Sequence, residues 1–363
     1  MKTGSDSMDS NRIQRVLSEL SKAGITQMIV SSPSSIRYLT GIDVQPMERL
    51  YALILRTDGQ HALILNHLFT VPSTQLNEVW LNDCDDGIAA IAQHLDSTLP
   101  IGIDDCWSAR FLLPLMKLCP NSQFQLTSRC VNTVRGCKDL KEQVHMIEAS
   151  HLNDTCMAAV EQFLHQGVTE LETADFIRSE FLRLGASGTS FDPIVSFGAN
   201  ASDPHHQPDG TVLHHGDCVV IDMGCVWQGY CSDMTRTFFC GTPSPTHMSI
   251  HNLVREANER AEAVIRPGVR FCDVDMAARE HIANAGYGTN FTHRLGHFIG
   301  MECHETGDVS GNNTDPIKEG QIFSIEPGVY LPNEMGVRIE DLVLVTKDGC
   351  KVLNQYPKQW KQV

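Results

Sequence analysis

Apolar residues at Ile13, Val16, Leu17 and Leu20 recur at the spacing of one helical face, with Gly24 as a stop. The pattern predicts a helix over 10–23. ITQMIV then reads as a strand, and YALILR and HALILN read as a hairpin turning at Thr57–Gly59. Helical patterns at about 87–94 and 107–118 flank a short strand, PIGID. Together these elements predict an α/β unit over residues 8–130. The stretch CPNSQFQLTSRCVNTVRGC, polar and without a clear period, is expected to be an irregular linker.

Beyond it, long helical patterns run over 138–166 and 169–184. Strand-like runs then follow: SFDPIVSFG, DCVVIDMGCVW, GYCSDMTRTFF, QIFSIEPGVYL and GVRIEDLVLVT. Helical patterns at 249–264 and 273–285 interrupt them. Helices beside adjacent, hairpin-connected strands predict an α+β domain over 138–363 with a mainly antiparallel sheet. No tandem repeat or low-complexity tract is visible.

Composition narrows the class of molecule. The chain has 363 residues, 42% hydrophobic and 20% charged, with a net charge of −16. That balance fits a soluble globular protein and argues against a nucleic-acid-binding face. No run approaches the ~18 apolar residues of a membrane span. The first residues are polar and lack the apolar core of a secretory signal, and Met8 is an alternative start to Met1. The 13 cysteines form no C-x-x-C pair, so reduced thiols in a cytoplasmic protein are expected.

The chemistry is concentrated in acids that interrupt apolar runs. Asp222 follows Val219, Val220 and Ile221; Asp233 lies on the neighbouring run; Glu326 and Glu340 sit among Ile, Val and Leu. A hairpin turning at Gln228–Gly229 would let Asp222 and Asp233 face each other, although facing like charges destabilise a strand pair. Two carboxylates ~4 Å apart repel by about 4 kcal/mol at an effective dielectric near 20. Such acids must protonate, disperse or bind cations, and two divalent ions would balance four of them. HRLGHFIGMECHE adds His293, His297 and His304, with Gly296 and Gly300 allowing close backbone approach; it is not an HExxH zinc helix. Carboxylates with one imidazole suit Mn²⁺, Co²⁺, Fe²⁺ or Zn²⁺ better than Ca²⁺.

The ordered set IDMG, SDMTRTF, HRLGHFIG…CHE, SIEPGVY and GVRIEDLVLVT resembles the metal-dependent pita-bread peptidases, which include methionine aminopeptidase, aminopeptidase P and prolidase. SFGANASDPHHQP resembles the substrate loop of the proline-directed members, and RIQRVLSELSKAGITQMIVSSPSSIRYLTG their creatinase-type N-terminal domain. The resemblance implies an α/β N-terminal domain followed by a pita-bread catalytic domain with a curved, mainly antiparallel sheet. It implies metal ligands Asp222, Asp233, His297, Glu326 and Glu340, with Asp233 and Glu340 bridging two divalent ions, Mn²⁺ foremost. It gives His205, His293, His304 and Arg338 roles toward substrate, His304 supporting the tetrahedral intermediate and Glu326 carrying the proton. Arg338 either orients the substrate or its carboxylate, or pairs with an acidic ligand.

The implied activity is hydrolysis of the bond before proline in Xaa-Pro dipeptides, by a homodimer acting on small peptides with proline second. Aminopeptidase P, acting on longer peptides, is the nearest alternative. A metal-free creatinase-type hydrolase and a non-catalytic binding protein on the same scaffold are more distant ones. Phe298 stands where this family usually has Gly, and is expected to narrow the pocket. The segment ETGDVSGNN replaces a short proline-containing turn.

Overall fold

The computed structural model describes residues 10–363, so the alternative start at Met8 lies outside the described residues. The described residues divide into two compact units, 10–135 and 136–363.

The first unit opens with α1 (Ser10–Lys22), whose buried residues are the four that set its period. Next come β1 (Gln27–Val30), α2 (Pro33–Thr40), β2 (Ala52–Arg56), β3 (Ala62–Asn66), β4 (Asn77–Leu81), α3 (Gly87–Ala92), β5 (Ile101–Ile103), α4 (Ala109–Leu118), β6 (Phe124–Leu126) and α5 (Ser128–Gly136). The strands form one sheet in the order β4-β3-β2-β1-β5-β6, with β2 antiparallel to its neighbours and β5 parallel to β1 and β6. The expected linker is therefore not irregular. Its Phe124–Leu126 pairs as the sixth strand, and Ser128–Gly136 is helical, burying Val131 and Val134. A three-residue edge strand and a short helix give too little periodicity to stand out from a polar connection.

The second unit starts with α6 (Leu140–Phe163) and α7 (Glu170–Arg183), each entered through a capping box: Asp139 with Glu142, and Thr169 with Glu172. Strands β7 (Gly188–Thr189), β8 (Ile194–Phe197), β9 (Cys218–Met223), β10 (Cys225–Trp227), β11 (Tyr230–Cys231) and β12 (Met234–Phe239) follow. Then come α8 (Pro245–Val264) and α9 (Phe271–Asn284). The unit closes with β13 (Gly296–Phe298), β14 (Glu305–Val309), β15 (Ile322–Ile325), β16 (Gly328–Leu331), β17 (Met335–Arg338), β18 (Asp341–Val345) and β19 (Cys350–Val352). The pairings between these named strands are antiparallel, grouped as β12-β9-β8, β14-β13-β15-β18-β19, β16-β17 and β11-β10-β7. The turn at Gln228–Gly229 joins β10 to β11 as expected.

Alternation along β9 explains how a carboxylate comes to lie in an apolar strand. Val219, Ile221 and Met223 pack with Met157, Val160, Ile177 and Phe181 of α6 and α7. Cys218 and Val220 turn to the other face, where Val254 and Ala257 of α8 contribute. Asp222 continues that second series, so the pleat carries it away from the α6–α7 core. The facing of Asp222 and Asp233 is corrected by the register: Asp222 lies opposite Thr235, and Asp233 is a diagonal neighbour on the same face. Their side chains still approach each other on that face, where the charge of Asp222 pushes the Asp233 carboxyl up. Glu326 and Glu340 are likewise not inside strands. Glu326 occupies the break between β15 and β16, and Glu340 is the second of the two residues between β17 and β18.

Candidate metal centre

Four chain segments converge on one concavity of about 430 Å³, bordered by Asp222, Asp233, His297, Glu326 and Glu340 together with His205, His293, His304 and Arg338. Asp222, Asp233, His297 and Glu340 are buried. His297 Nε2 is 3.5 Å from Asp233 Oδ2, 3.5 Å from Glu326 Oε1 and 4.0 Å from Glu340 Oε1. Donor atoms of Asp233, His297 and Glu340 all fall within 4.8 Å of one another.

The strands fix these groups through neighbours that the acids themselves do not reveal. Thr235 Oγ1 donates to Glu340 Oε2 at 2.7 Å, and the Glu340 amide donates to the Thr235 carbonyl at 3.1 Å. Ser324 Oγ accepts from the His297 amide at 3.0 Å and donates to Glu326 Oε1 at 3.1 Å. Gly296 makes this approach possible, since a Cβ there would lie 1.9 Å from the Ser324 carbonyl oxygen. The Phe298 carbonyl can only accept, so its 3.2 Å contact with His297 Nδ1 places a proton on Nδ1 and frees the Nε2 lone pair toward the carboxylates.

Those carboxylates are not satisfied by protein alone. Asp222 Oδ1, Asp233 Oδ1 and Glu340 Oε1 are buried without a hydrogen-bond partner among the described residues. Burial pushes the carboxyls of Asp222, Asp233 and Glu340 up, and the charges of Asp222 and Glu326 push Asp233 further. A lone pair of His297 aimed into this cluster adds to the negative potential. Buried orphan oxygens around a free imidazole nitrogen fit a cation, and the oxygen-rich donor set fits a divalent one.

Arg338 is fully committed inside the protein. Nη2 pairs with Asp222 Oδ2 at 2.8 Å, Nε donates to Thr235 Oγ1 at 3.1 Å, and Nη1 reaches Tyr330 Oη at 3.0 Å and the Pro204 carbonyl at 3.3 Å. Of its two expected roles, the pair with an acid is the one present. His293 is also engaged, through Nδ1 to the Arg294 carbonyl at 2.7 Å and Nε2 to Tyr330 Oη at 2.9 Å. Burial holds its pKa below the usual imidazole value. His205 and His304 are exposed to the pocket, and neither ring has a hydrogen-bond partner among the described residues. Burial and the neighbouring His297, whose ring is 4.2 Å away, lower the His304 pKa to about 4, so its imidazole is neutral near pH 7.

Phe298 does not narrow the pocket. Strand alternation sends it to the face opposite His297, against Phe271 and Phe323 with ring centroids 5.4 and 5.7 Å away. The segment after His304 forms β14, where Gly307 leaves room for this ring: a Cβ would lie 2.6 Å from Phe298 Cδ2. Neither feature borders the cavity. Sequence reading overlooked Tyr330, Thr235, Ser324, Cys303 and the wall residues Phe191, Ile194 and Arg294. Thr235 carried a usable signal, lying two residues after Asp233 in a strand.

The family pattern described as Metallopeptidase family M24 matches residues 144–347, and that of the Creatinase/Prolidase N-terminal domain matches residues 12–137. The chain belongs to metallopeptidase family M24. It is 36% identical over 359 residues to an uncharacterized peptidase of Staphylococcus haemolyticus, covering 96% of this chain and 100% of that one. Dipeptidase PepE from Mycobacterium ulcerans superposes with a TM-score of 0.93 at 32% identity, covering 98% and 97% of the two chains. A prolidase from Thermococcus sibiricus gives 0.91 at 29% identity, covering 99% and 100%. This M24 peptidase thus has the creatinase-type N-terminal domain and the pita-bread catalytic fold. No helix among the described residues is long and apolar enough to cross a membrane.

Proposed function

We propose that this peptidase hydrolyses the bond preceding proline in Xaa-Pro dipeptides, with two divalent ions held by Asp222, Asp233, His297, Glu326 and Glu340. The observation that carries the reading is the set of buried, unpartnered carboxylate oxygens around the free Nε2 of His297. Likeness to a dipeptidase and a prolidase supports it. Mn²⁺ is the favoured ion, with Co²⁺, Zn²⁺ and Fe²⁺ as competitors on donor type alone. Asp233 and Glu340 would be the ligands shared between the two ions, which their place beside His297 supports. A homodimer in the cytoplasm completes the proposal.

Bound ions would supply Lewis acidity and a nucleophile near neutral pH. The protein's own groups divide the remaining work. His304, neutral near pH 7, has a ring nitrogen available to donate toward oxyanion charge, and His205 offers a second imidazole at the same cavity. Glu326 carries the proton toward the leaving nitrogen, which in an Xaa-Pro bond belongs to a tertiary amide with no N–H. Arg338 acts on Asp222 and the walls, holding a ligand and the His205 loop in place.

The test pairs metal analysis with a peptide-length series. Chelation is expected to abolish cleavage, and re-addition of Mn²⁺ to restore it, with about two ions bound per chain as this class of site requires. Xaa-Pro dipeptides are expected to outcompete Xaa-Pro-peptides. Preference for the longer series would replace the dipeptidase reading with an aminopeptidase P one, and full activity without metal would remove both.

A further inference from the structure

Three buried asparagines that do not border the cavity share one arrangement. Each donates its side-chain amide to a backbone carbonyl at, or one residue from, an acid of the metal centre. Asn153 of α6 reaches the Met223 carbonyl at 2.8 Å, next to Asp222, and Asn354 reaches the Asp233 carbonyl at 3.3 Å. Asn258 of α8 reaches two, Ile325 at 2.8 Å and Ile339 at 3.4 Å. Those residues immediately precede Glu326 and Glu340. Asparagine is a mediocre helix former, and an amide buried in a helix is costly unless both of its ends are bonded. At Asn258 both ends are.

Its partners decide which way the amide points. Lys358 Nζ can only donate and lies 2.6 Å from Asn258 Oδ1, so the oxygen faces the ammonium and Nδ2 faces the two carbonyls. Lys358 is held in turn by Glu262 Oε2 at 2.7 Å and Asp341 Oδ2 at 2.9 Å. Glu326 and Glu340 both lie where the chain leaves the regular ladder, between β15 and β16 and between β17 and β18. The amide has two N–H groups, one for each of these breaks, and it joins them through a single planar group. We propose that Asn258 is a positioning residue of the metal centre: it fixes the spacing of Glu326 and Glu340, and Lys358 fixes the amide. The role rests on the metallopeptidase reading above, and Asn258 acts through the two glutamates rather than on substrate.

Calorimetric titration of the metal-free protein with Mn²⁺ tests this in wild type, Asn258→Leu and Val254→Ala. Val254 is buried one turn earlier on α8, and its apolar side chain offers the two carbonyls no hydrogen bond. Its truncation loosens the packing of the helix and leaves the amide in place. Asn258→Leu is expected to weaken Mn²⁺ binding about tenfold, the lower end of what groups supporting metal ligands contribute. Hydrogen exchange at the Glu326 and Glu340 amides should quicken with it. Val254→Ala is expected to unfold at lower urea yet bind Mn²⁺ as wild type does. Equal weakening in the two variants, or wild-type affinity in Asn258→Leu, overturns the inference. Should Asn258→Leu not fold, Asn258→Ser carries the same test with the same outcomes, since its single hydroxyl hydrogen can serve only one carbonyl. A wild type that binds no Mn²⁺ removes the metal centre and this inference together, whereas the other failures leave the metal centre standing.

Discussion

Arg338 and Asp222 form a buried ion pair, Nη2 to Oδ2 at 2.8 Å, on the wall of a site that otherwise gathers negative charge. Removing one partner of such a pair leaves the other charged and desolvated, at a cost of about 3–5 kcal/mol. Arg338→Met is therefore expected to lose stability on that scale in chelator, where Asp222 has no other compensation. Urea unfolding with and without Mn²⁺ checks this: the loss should shrink when metal is present. An equal loss in both conditions would separate Asp222 from the metal centre.

Thr235 is the quieter member of the same network. Its hydroxyl donates to Glu340 at 2.7 Å and accepts from Arg338 at 3.1 Å. Groups that orient metal ligands typically govern 10–100-fold in affinity, so Thr235→Val should weaken metal binding by roughly that factor while Thr235→Ser stays close to wild type. Competition against a fluorescent chelator measures it directly. Unchanged affinity in the valine variant would mean that Glu340 is held by its backbone alone.

How much of this was legible beforehand follows from what each residue's signal depends on. Asp222, Asp233, Glu326 and Glu340 stood out because charge within apolar runs needs compensation, and their ordered motifs resemble a metallopeptidase family. The helices that cover the sheets were readable from period and caps. Register was not. Nothing local distinguishes Asp222 opposite Asp233 from Asp222 opposite Thr235, because that choice is made by strand pairing and the Gly224 break. Phe298 was misjudged for a related reason: adjacency to His297 in sequence means the opposite face in a strand.

Buried His251 makes acid stability testable away from the metal centre. Burial lowers its pKa to about 4, and the charges of Arg255 and Arg236 act in the same direction. The unfolded chain takes up this proton near pH 6.5, whereas the native state resists until about 4. Between those values the unfolded state binds more protons, so stability falls as pH drops through the window. Below it, both states are protonated and the term is constant. The linkage amounts to about 3 kcal/mol at most. His251→Gln removes it, so the gap between wild-type and variant unfolding free energies should move by roughly that amount between pH 6.5 and 4. A gap that stays constant across the window would show that His251 titrates normally.

Glu170, wholly buried at the start of α7, uses both carboxylate oxygens to hold the loop that carries His205. Oε1 accepts from the Phe197 amide at 2.7 Å and Asn200 Nδ2 at 3.1 Å; Oε2 meets His206 Nε2 at 2.8 Å and the Asp209 amide at 3.1 Å. Although Glu170, His206 and Asp209 could be grouped as a metal site, these hydrogen bonds already employ the buried carboxylate. In Glu170→Gln, either orientation of the new amide sets a donor against a backbone or side-chain N–H, and a buried unsatisfied donor costs about 1–3 kcal/mol. The effect should be local: faster hydrogen exchange at the Phe197 and Asp209 amides, a raised KM, and metal content equal to wild type. Metal loss together with unchanged loop exchange would contradict the clamp, since it would place the damage at the centre rather than in the segment that presents His205.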